Sequence, residues 1–415
     1  MKPGVRPKIL IAATSRWFPT ARLGTALARA GCQVEAICPP RHPLEKVGAV
    51  GRRYPYRGLL PLHSLDQAIA QAEPDMIVPG DDLATLHLHQ LHAREARRGS
   101  AGSWLAELIE RSLGSPQSFP VVYSRTAFME LAREAGVRAP RTEVIANLGA
   151  LKHWLARTGF PTILKTDGTS GGAGVRVVHT LEEAEEAFQT LQAPPVLPRA
   201  IKRALVDQDK TLLWPWLLRR RATVNAQEHV PGREATSALA CWDGELLASL
   251  HFEVLNKREA AGPSSVLRLI ENDDMSSAAA ILVRRLNLSG LHGFDFMLEA
   301  QSGQAHLIEI NPRATQVGHL TLGAGRDLPA ALLAALSGAA PEPSLKLTEK
   351  DTIALFPQEW MRDPASPYLQ TGYHDVPWDE PELLRACAAQ RPQQAALDFP
   401  QLHLRGLSEA RLRRL

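Results

Sequence analysis

Two carboxylates and an amide, Asp295, Glu309 and Asn311, stand in a short stretch of this chain as hard oxygen ligands for a divalent cation would. The run Gly293-Phe294-Asp295-Phe296 is separated by a turn at Ser302-Gly303 from Leu307-Ile308-Glu309-Ile310-Asn311-Pro312-Arg313, and the pattern reads as a β-hairpin. Strand side chains alternate, so Glu309 and Asn311 share one face while Ile308 and Ile310 turn to the other, into apolar packing. Folding about residues 302 and 303 sets Asp295 nearly opposite Glu309. Two carboxylates so placed repel unless a cation lies between them, and magnesium is the natural choice. Taken alone, the same acids equally describe a solvated strand face.

A second set lies upstream. Phe160-Pro161-Thr162-Ile163-Leu164-Lys165 reads as a buried strand running into Thr166-Asp167-Gly168-Thr169-Ser170-Gly171-Gly172-Ala173-Gly174-Val175, a loop with four glycines. Glycine permits the positive φ values that turn successive N–H groups toward an anion, and Lys165 adds charge for the same anion. No Gly-Lys-Ser/Thr closes the loop and no helix obviously begins there, so it is not a P-loop. A glycine-rich surface hairpin is the alternative. A third segment, Gln227-Glu228-His229-Val230-Pro231-Gly232-Arg233-Glu234, turns at Pro-Gly, and Glu234 by itself reads as an exposed acid after that turn.

Together, and in this order, the segments resemble the ATP-grasp superfamily. The resemblance implies an α+β fold, an ATP-grasp of two α+β subdomains preceded by a Rossmann-like α/β domain, with ATP clamped between the subdomains. It implies that Lys165 and the loop of Gly171, Gly172 and Gly174 contact phosphates. Gln227, Glu228 and Val230 would line the adenine, largely through backbone groups, and Glu234 would accept from the ribose hydroxyls. Asp295, Glu309 and Asn311 would hold two Mg2+ ions, with Mn2+ able to replace them. Lys257 resembles the basic residue near the transferred phosphate. Arg313 resembles the arginine that steadies an acyl phosphate or substrate anion, a task suited to a planar guanidinium. One departure is Ser124-Arg125, where many relatives have Asp-Lys; Arg125 keeps the charge expected to face the α-phosphate but not the compact ammonium.

The elements that must position these residues follow from periodicity and punctuation. Lys8 to Ala13, Thr20 to Ala30 and Gln33 to Cys38 read as strand, helix and strand, the helix ended by Gly31. The strand Asp75-Met76-Ile77-Val78 ends at Pro79-Gly80-Asp81-Asp82. Parallel sheets bind ligands at the carboxyl ends of their strands, where Asp81 and Thr14-Ser15-Arg16 would sit, although Asp81 or Asp82 equally suits a helix cap. The first βα turn lacks GxGxxG, which disfavours a dinucleotide-binding oxidoreductase. A helix from Ser124 to Ala135, stopped by Gly136, leads into the first subdomain, and Asp243-Gly244 signals a hairpin between Ala235–Trp242 and Glu245–Phe252. The expected units are 1–118 (Rossmann-like), 119–195 (first subdomain), 196–219 (an apolar and basic insertion), 220–340 (second subdomain with the metal hairpin) and 341–415 (a C-terminal extension). Within that extension Thr352 to Phe356 reads as a strand, and the prolines beyond it suggest an irregular loop.

At 415 residues, 45% apolar and with a formal charge of +3, the chain has room for two or three cores and carries no strong signal for nucleic acid or membrane. Four cysteines, Cys32, Cys38, Cys241 and Cys387, lack CxxC spacing, which argues against a zinc site or disulfide framework and suits a reducing cytoplasm. Export and membrane insertion are not expected, and a homo-oligomer is left open. By resemblance the activity is an ATP-dependent carboxylate–amine ligase, releasing ADP and phosphate from small-molecule carboxylate and amine substrates. Three alternatives stay open: carboxyphosphate formation from bicarbonate, a small-molecule kinase, and a nucleotide-binding module without turnover.

Overall fold

An unbroken apolar run makes β1 (Lys8–Ala12) suitable only for the middle of a sheet covered on both faces, and its residues from Ile9 onward are buried. It pairs in parallel with β2 (Gln33–Cys38) and β4 (Met76–Pro79), in the order β3-β2-β1-β4 with β3 at Val50–Pro55. Helix α1 (Phe18–Ala30) begins two residues earlier than the sequence suggests and ends at Gly31, whose φ of 115° is open to glycine. This computed structural model describes residues 6–99, 102–167, 174–193, 222–259, 262–340 and 346–389. The expected insertion at 196–219, Gly171 and Gly172 lie outside the described residues.

After α2 (Pro61–Ala72), α3 (Asp82–Arg97), α4 (Trp104–Leu113), α5 (Phe119–Tyr123) and α6 (Arg125–Glu134), a four-stranded antiparallel sheet runs β5-β8-β6-β7. Its strands are β5 (Thr142–Ile145), β6 (Thr162–Thr166), β7 (Val175–Val178) and β8 (Val224–Glu228). One face packs Leu164, Ala226, Val224 and Ile145 against Trp154 of α7 (Leu148–Thr158) and Phe188 of α8 (Leu181–Gln192). Strand β8 corrects an expectation: it falls within the range assigned to the second subdomain but lies between β5 and β6. Its buried Val224 and Ala226 need the apolar face that α7 and α8 supply.

The seven-stranded sheet runs β13-β12-β9-β10-β11-β14-β15. Strands β9 (Gly232–Trp242) and β10 (Glu245–Lys257) meet at Asp243 and Gly244, with φ of 47° and 77°, the left-handed pair that a tight hairpin requires. The next pieces are β11 (Ser264–Leu269), α9 (Asp273–Leu286), β12 (Gly290–Glu299) and β13 (Ala305–Asn311). Alternation along β9 decides the layers. Ala235, Leu239 and Cys241 meet α6 and α9, whereas Ala238 and Ala240 share a core with β1, α1 and the helix Leu328–Ser337. The N-terminal sheet and this one therefore have a common core.

The C-terminal extension also differs from its sequence reading. Besides β14 (Thr352–Leu355), Tyr373–Asp375 forms β15, and both extend the large sheet. Fully buried Asp375 pairs with Arg22 of α1 at 2.5 Å and His319 at 2.6 Å. No helix among the described residues is long and apolar enough to cross a membrane.

Candidate active site

The face of β9 that buries Ala238 and Ala240 leaves the core toward the start of the strand, where Thr236 and Glu234 follow. Register sets Asp295 of β12 opposite both Thr236 and Glu309, and Asn311 opposite Gly293. Thr236 Oγ1 donates to Asp295 Oδ1 at 2.8 Å and Asn311 Nδ2 to Asp295 Oδ2 at 2.9 Å. Burial, then the neighbouring Glu309, pushes the Asp295 carboxyl above its ordinary range, against those two hydrogen bonds. This is a concentration of negative charge that a cation relieves, and every donor is a hard oxygen, so the residues fit Mg2+. Among the described residues no group of three or more His, Cys, Asp or Glu forms a metal centre, so the candidate set is this carboxylate pair and one amide.

The hairpin contains a feature that strict alternation misses. Asp295 pairs with Glu309 but Phe296 pairs with Leu307, leaving Ile308 as an extra residue in a bulge. Leu307 and Ile310 therefore enter the core, while Ile308, expected there, is only half-buried.

Lys165 approaches from the other sheet. On β6 the inward side chain is Leu164, so Lys165 and Ile163 face away from the small core, as do Asn225 and Gln227 opposite them on β8. Lys165 is 5% exposed, and desolvation lowers its pKa to about 8; Glu309, Asp295 and Glu234 oppose that shift and Arg125 adds to it. Those charges act on Lys165 because the segments converge. Asn225 links Thr126 Oγ1, at 3.0 Å, to Asp167 Oδ1, at 2.8 Å. Arg125, the first residue of α6, reaches both sheets: Nη1 lies 2.8 Å from Glu309 Oε1 and Nε 3.7 Å from Asp167 Oδ1. The guanidinium thus stands on a metal-ligand candidate, whereas the resemblance places its charge near the α-phosphate. Gly174 is buried and its carbonyl accepts from Thr166 N–H at 2.9 Å.

Gln227 is buried in mid-sheet between Thr142 and Ile163, and its Nε2 donates to Thr142 Oγ1 at 3.0 Å. Glu228 donates its N–H to Arg141 O and accepts the Arg141 N–H on Oε2, both at 3.0 Å. One main-chain group that the resemblance assigns to the adenine, the Glu228 N–H, is thus already engaged within the sheet. Val230, buried, begins the crossing from β8 to β9. Across it, Lys257 Nζ holds both oxygens of Glu234 at 2.7 and 2.9 Å.

Arg313 leaves the hairpin toward the N-terminal sheet. Its Nε meets Asp82 Oδ1 at 3.2 Å, Nη2 meets Asn311 Oδ1 at 3.2 Å, and its guanidinium carbon sits over the Trp17 ring, 5.1 Å from the ring centroid. Asp81 caps α3 through Ala84 N–H and also accepts from Thr14 N–H and Oγ1, each at 2.7 Å, and from Ser15 N–H at 3.0 Å. Its oxygens are spent on shaping the β1–α1 loop, and Arg16 Nε donates to Pro40 O. Sequence reasoning overlooked Thr236, Asn225, Asp167 and Trp17, and assigned Asp82 only a cap. Thr236 had a signal, standing two residues after Glu234 on the same strand face. The others depend on contacts between elements.

Residues 218–317 match the model of the ATP-grasp domain, and residues 124–207 that of the carbamoyl-phosphate synthase L chain, ATP binding domain. The carbamoyl phosphate synthase large chain of Xylella fastidiosa (strain 9a5c) is 24% identical over 262 residues, covering 62% of this chain and 22% of that protein. The matched region thus spans about a fifth of that relative's length. Among solved structures, the biotin carboxylase domain dimer of Hydrogenobacter thermophilus 2-oxoglutarate carboxylase, with MgADP, ADP and bicarbonate, superposes with a TM-score of 0.56 at 14% identity. The likeness covers 80% of this chain and 70% of that one. The N5-carboxyaminoimidazole synthase of Aspergillus clavatus, with ADP and 5-aminoimidazole ribonucleotide, gives 0.57 at 15% identity over 81% and 77% of the two chains. With two grasp-type sheets, a preceding parallel sheet and these matches in hand, the chain is a member of the ATP-grasp superfamily.

Proposed function

We propose that the chain is an ATP-dependent ligase that activates a carboxylate as its acyl phosphate and passes the acyl group to an amine. The observation that supports this reading is the convergence of the two sheets at Arg125, which pairs with Glu309 of the hairpin and reaches Asp167 just beyond Lys165 on the four-stranded sheet. Asp295, Glu309 and Asn311 would hold Mg2+, which when bound draws charge from the β- and γ-phosphates. Lys165 would neutralise phosphate oxygens in a site from which water is largely excluded. Lys257 would do the same after exchanging Glu234 for phosphate, leaving Glu234 to the ribose hydroxyls. Arg313, stacked on Trp17 and steadied by Asp82, would orient the substrate anion at the carboxyl edge of the N-terminal sheet. Attack by an ionised carboxylate on phosphorus needs alignment and electrostatic stabilisation, so no buried general base is required.

A second reading, with bicarbonate as the carboxylate, is favoured by the bicarbonate bound in the H. thermophilus relative. Phosphate release from ATP, measured over panels of carboxylates and amines and with bicarbonate alone, separates the two. Release requiring an organic acid and an amine together supports the ligase. Release driven by bicarbonate replaces it with the second reading. Glu309→Gln should abolish release in either case while leaving the protein folded, and unchanged release in that variant removes the metal role.

A further inference from the structure

We propose that Arg125 is the resident counter-ion of the metal site, holding Glu309 closed to a free divalent cation and releasing it when nucleotide phosphates arrive. This rests on the functional reading above and adds an order of loading to it. Each candidate ligand has a partner within the protein. Thr236 and Asn311 donate to the two oxygens of Asp295, Arg313 Nη2 donates to Asn311 Oδ1, and Arg125 Nη1 pairs with Glu309 at 2.8 Å.

Of these partners only Arg125 brings a full positive charge onto a carboxylate of the set. Its position is fixed from behind, because Ser124 caps α6 by accepting from Ala127 N–H, and Asp167 at 3.7 Å anchors the other side of the guanidinium. The side chain is 14% exposed and that of Glu309 29%, so solvent screens the pair only in part. A bare divalent ion would have to displace the guanidinium or sit within a few ångströms of it. At that range the doubly charged ion and the guanidinium repel strongly, because the partly buried site screens them far less than bulk water. Nucleotide phosphates change the balance by giving the released guanidinium oxygens to bind, which a fork of five donors can do from two sides. Metal and nucleotide therefore load with strong positive coupling.

Mn2+ provides the probe. Its free ion gives a paramagnetic-resonance signal that falls on binding, so the readout is independent of turnover. Wild-type protein without nucleotide should leave Mn2+ essentially free, and ATP should make it bind, read as signal change beyond that of a protein-free Mn2+–ATP mixture, since ATP alone chelates the ion. Arg125→Met should bind Mn2+ without nucleotide at least about tenfold more tightly than wild type, well within the repulsion expected from one removed charge. Adding Glu309→Gln to it should cancel the gain. Arg125→Gln serves as an independent second variant if the methionine substitution fails to fold. Equal Mn2+ affinity in wild type and the neutral variants overturns the proposal, as does nucleotide-independent Mn2+ binding by wild type. ATP-dependent binding in wild type with no gain in the variants overturns this inference alone. Absence of Mn2+ binding to wild type even with ATP overturns the functional reading, and this inference with it.

Discussion

Burial holds the Lys165 ammonium at a cost, which Glu309, Asp295 and Glu234 offset only in part. Desolvation places its folded pKa near 8, below the ordinary 10.5. The sign follows from linkage: below pH 8 both folded and unfolded chains keep the proton. Between about 8 and 10.5 the unfolded chain binds more protons, so this group's contribution to stability rises with pH and is lost as pH falls through the folded pKa. Nucleotide affinity runs the other way. It should fall above about pH 8 as the ammonium deprotonates, and Lys165→Arg should remove that fall from a titration of affinity against pH. Lys165→Met should bind ATP at least about tenfold more weakly, as expected for losing a charged hydrogen bond. Its melting temperature should be no lower than wild type's, since a buried charge has gone. A destabilised variant with wild-type affinity would assign Lys165 a purely structural role.

At the scale of elements, the β13 bulge decides which side chains serve the core and which the cleft. Strict alternation would place Leu307 beside Glu309 and Ile308 in the interior; the extra residue lets Leu307 and Glu309 take opposite faces. Leu307→Ala should therefore cost about 2–5 kcal/mol in urea unfolding and Ile308→Ala clearly less. The reverse order would contradict the register. The hairpin itself was legible, because a turn at residues 302 and 303 and a period of two are enough to set Asp295 opposite Glu309. The bulge was not, since it arises from packing against α6 and α9. Strand β8 was misplaced for a similar reason: residues 224–228 do not show by themselves which sheet has room for Val224 and Ala226.

The whole molecule is tied together by charges far apart in sequence, which a single chain reading could not pair. Arg22, His319 and Asp375 come from the first helix, the segment after the hairpin and the last strand, and they meet with almost no exposure. Arg313, Asp82 and Trp17, equally far apart in sequence, meet at partly exposed positions. His319 and Arg22 hold the Asp375 carboxyl below its usual range, against burial. Its stabilising contribution is therefore present above the unfolded pKa and is lost as pH falls through the folded one. Asp375→Asn should cost about 3–5 kcal/mol by leaving Arg22 buried without its counter-ion, read as a lower urea midpoint, and should flatten the acid limb of stability against pH. Stability unchanged in that variant would show that the C-terminal strands are held by apolar packing alone.

Calorimetric titration of ATP, with and without Mg2+, tests most directly whether the two sheets build one nucleotide site. Wild-type protein should bind ATP in the presence of Mg2+. Lys165→Met on one sheet and Glu309→Gln on the other should each weaken that binding at least about tenfold, the scale of one lost charged contact. Wild-type affinity in both variants, each folded, would contradict the account.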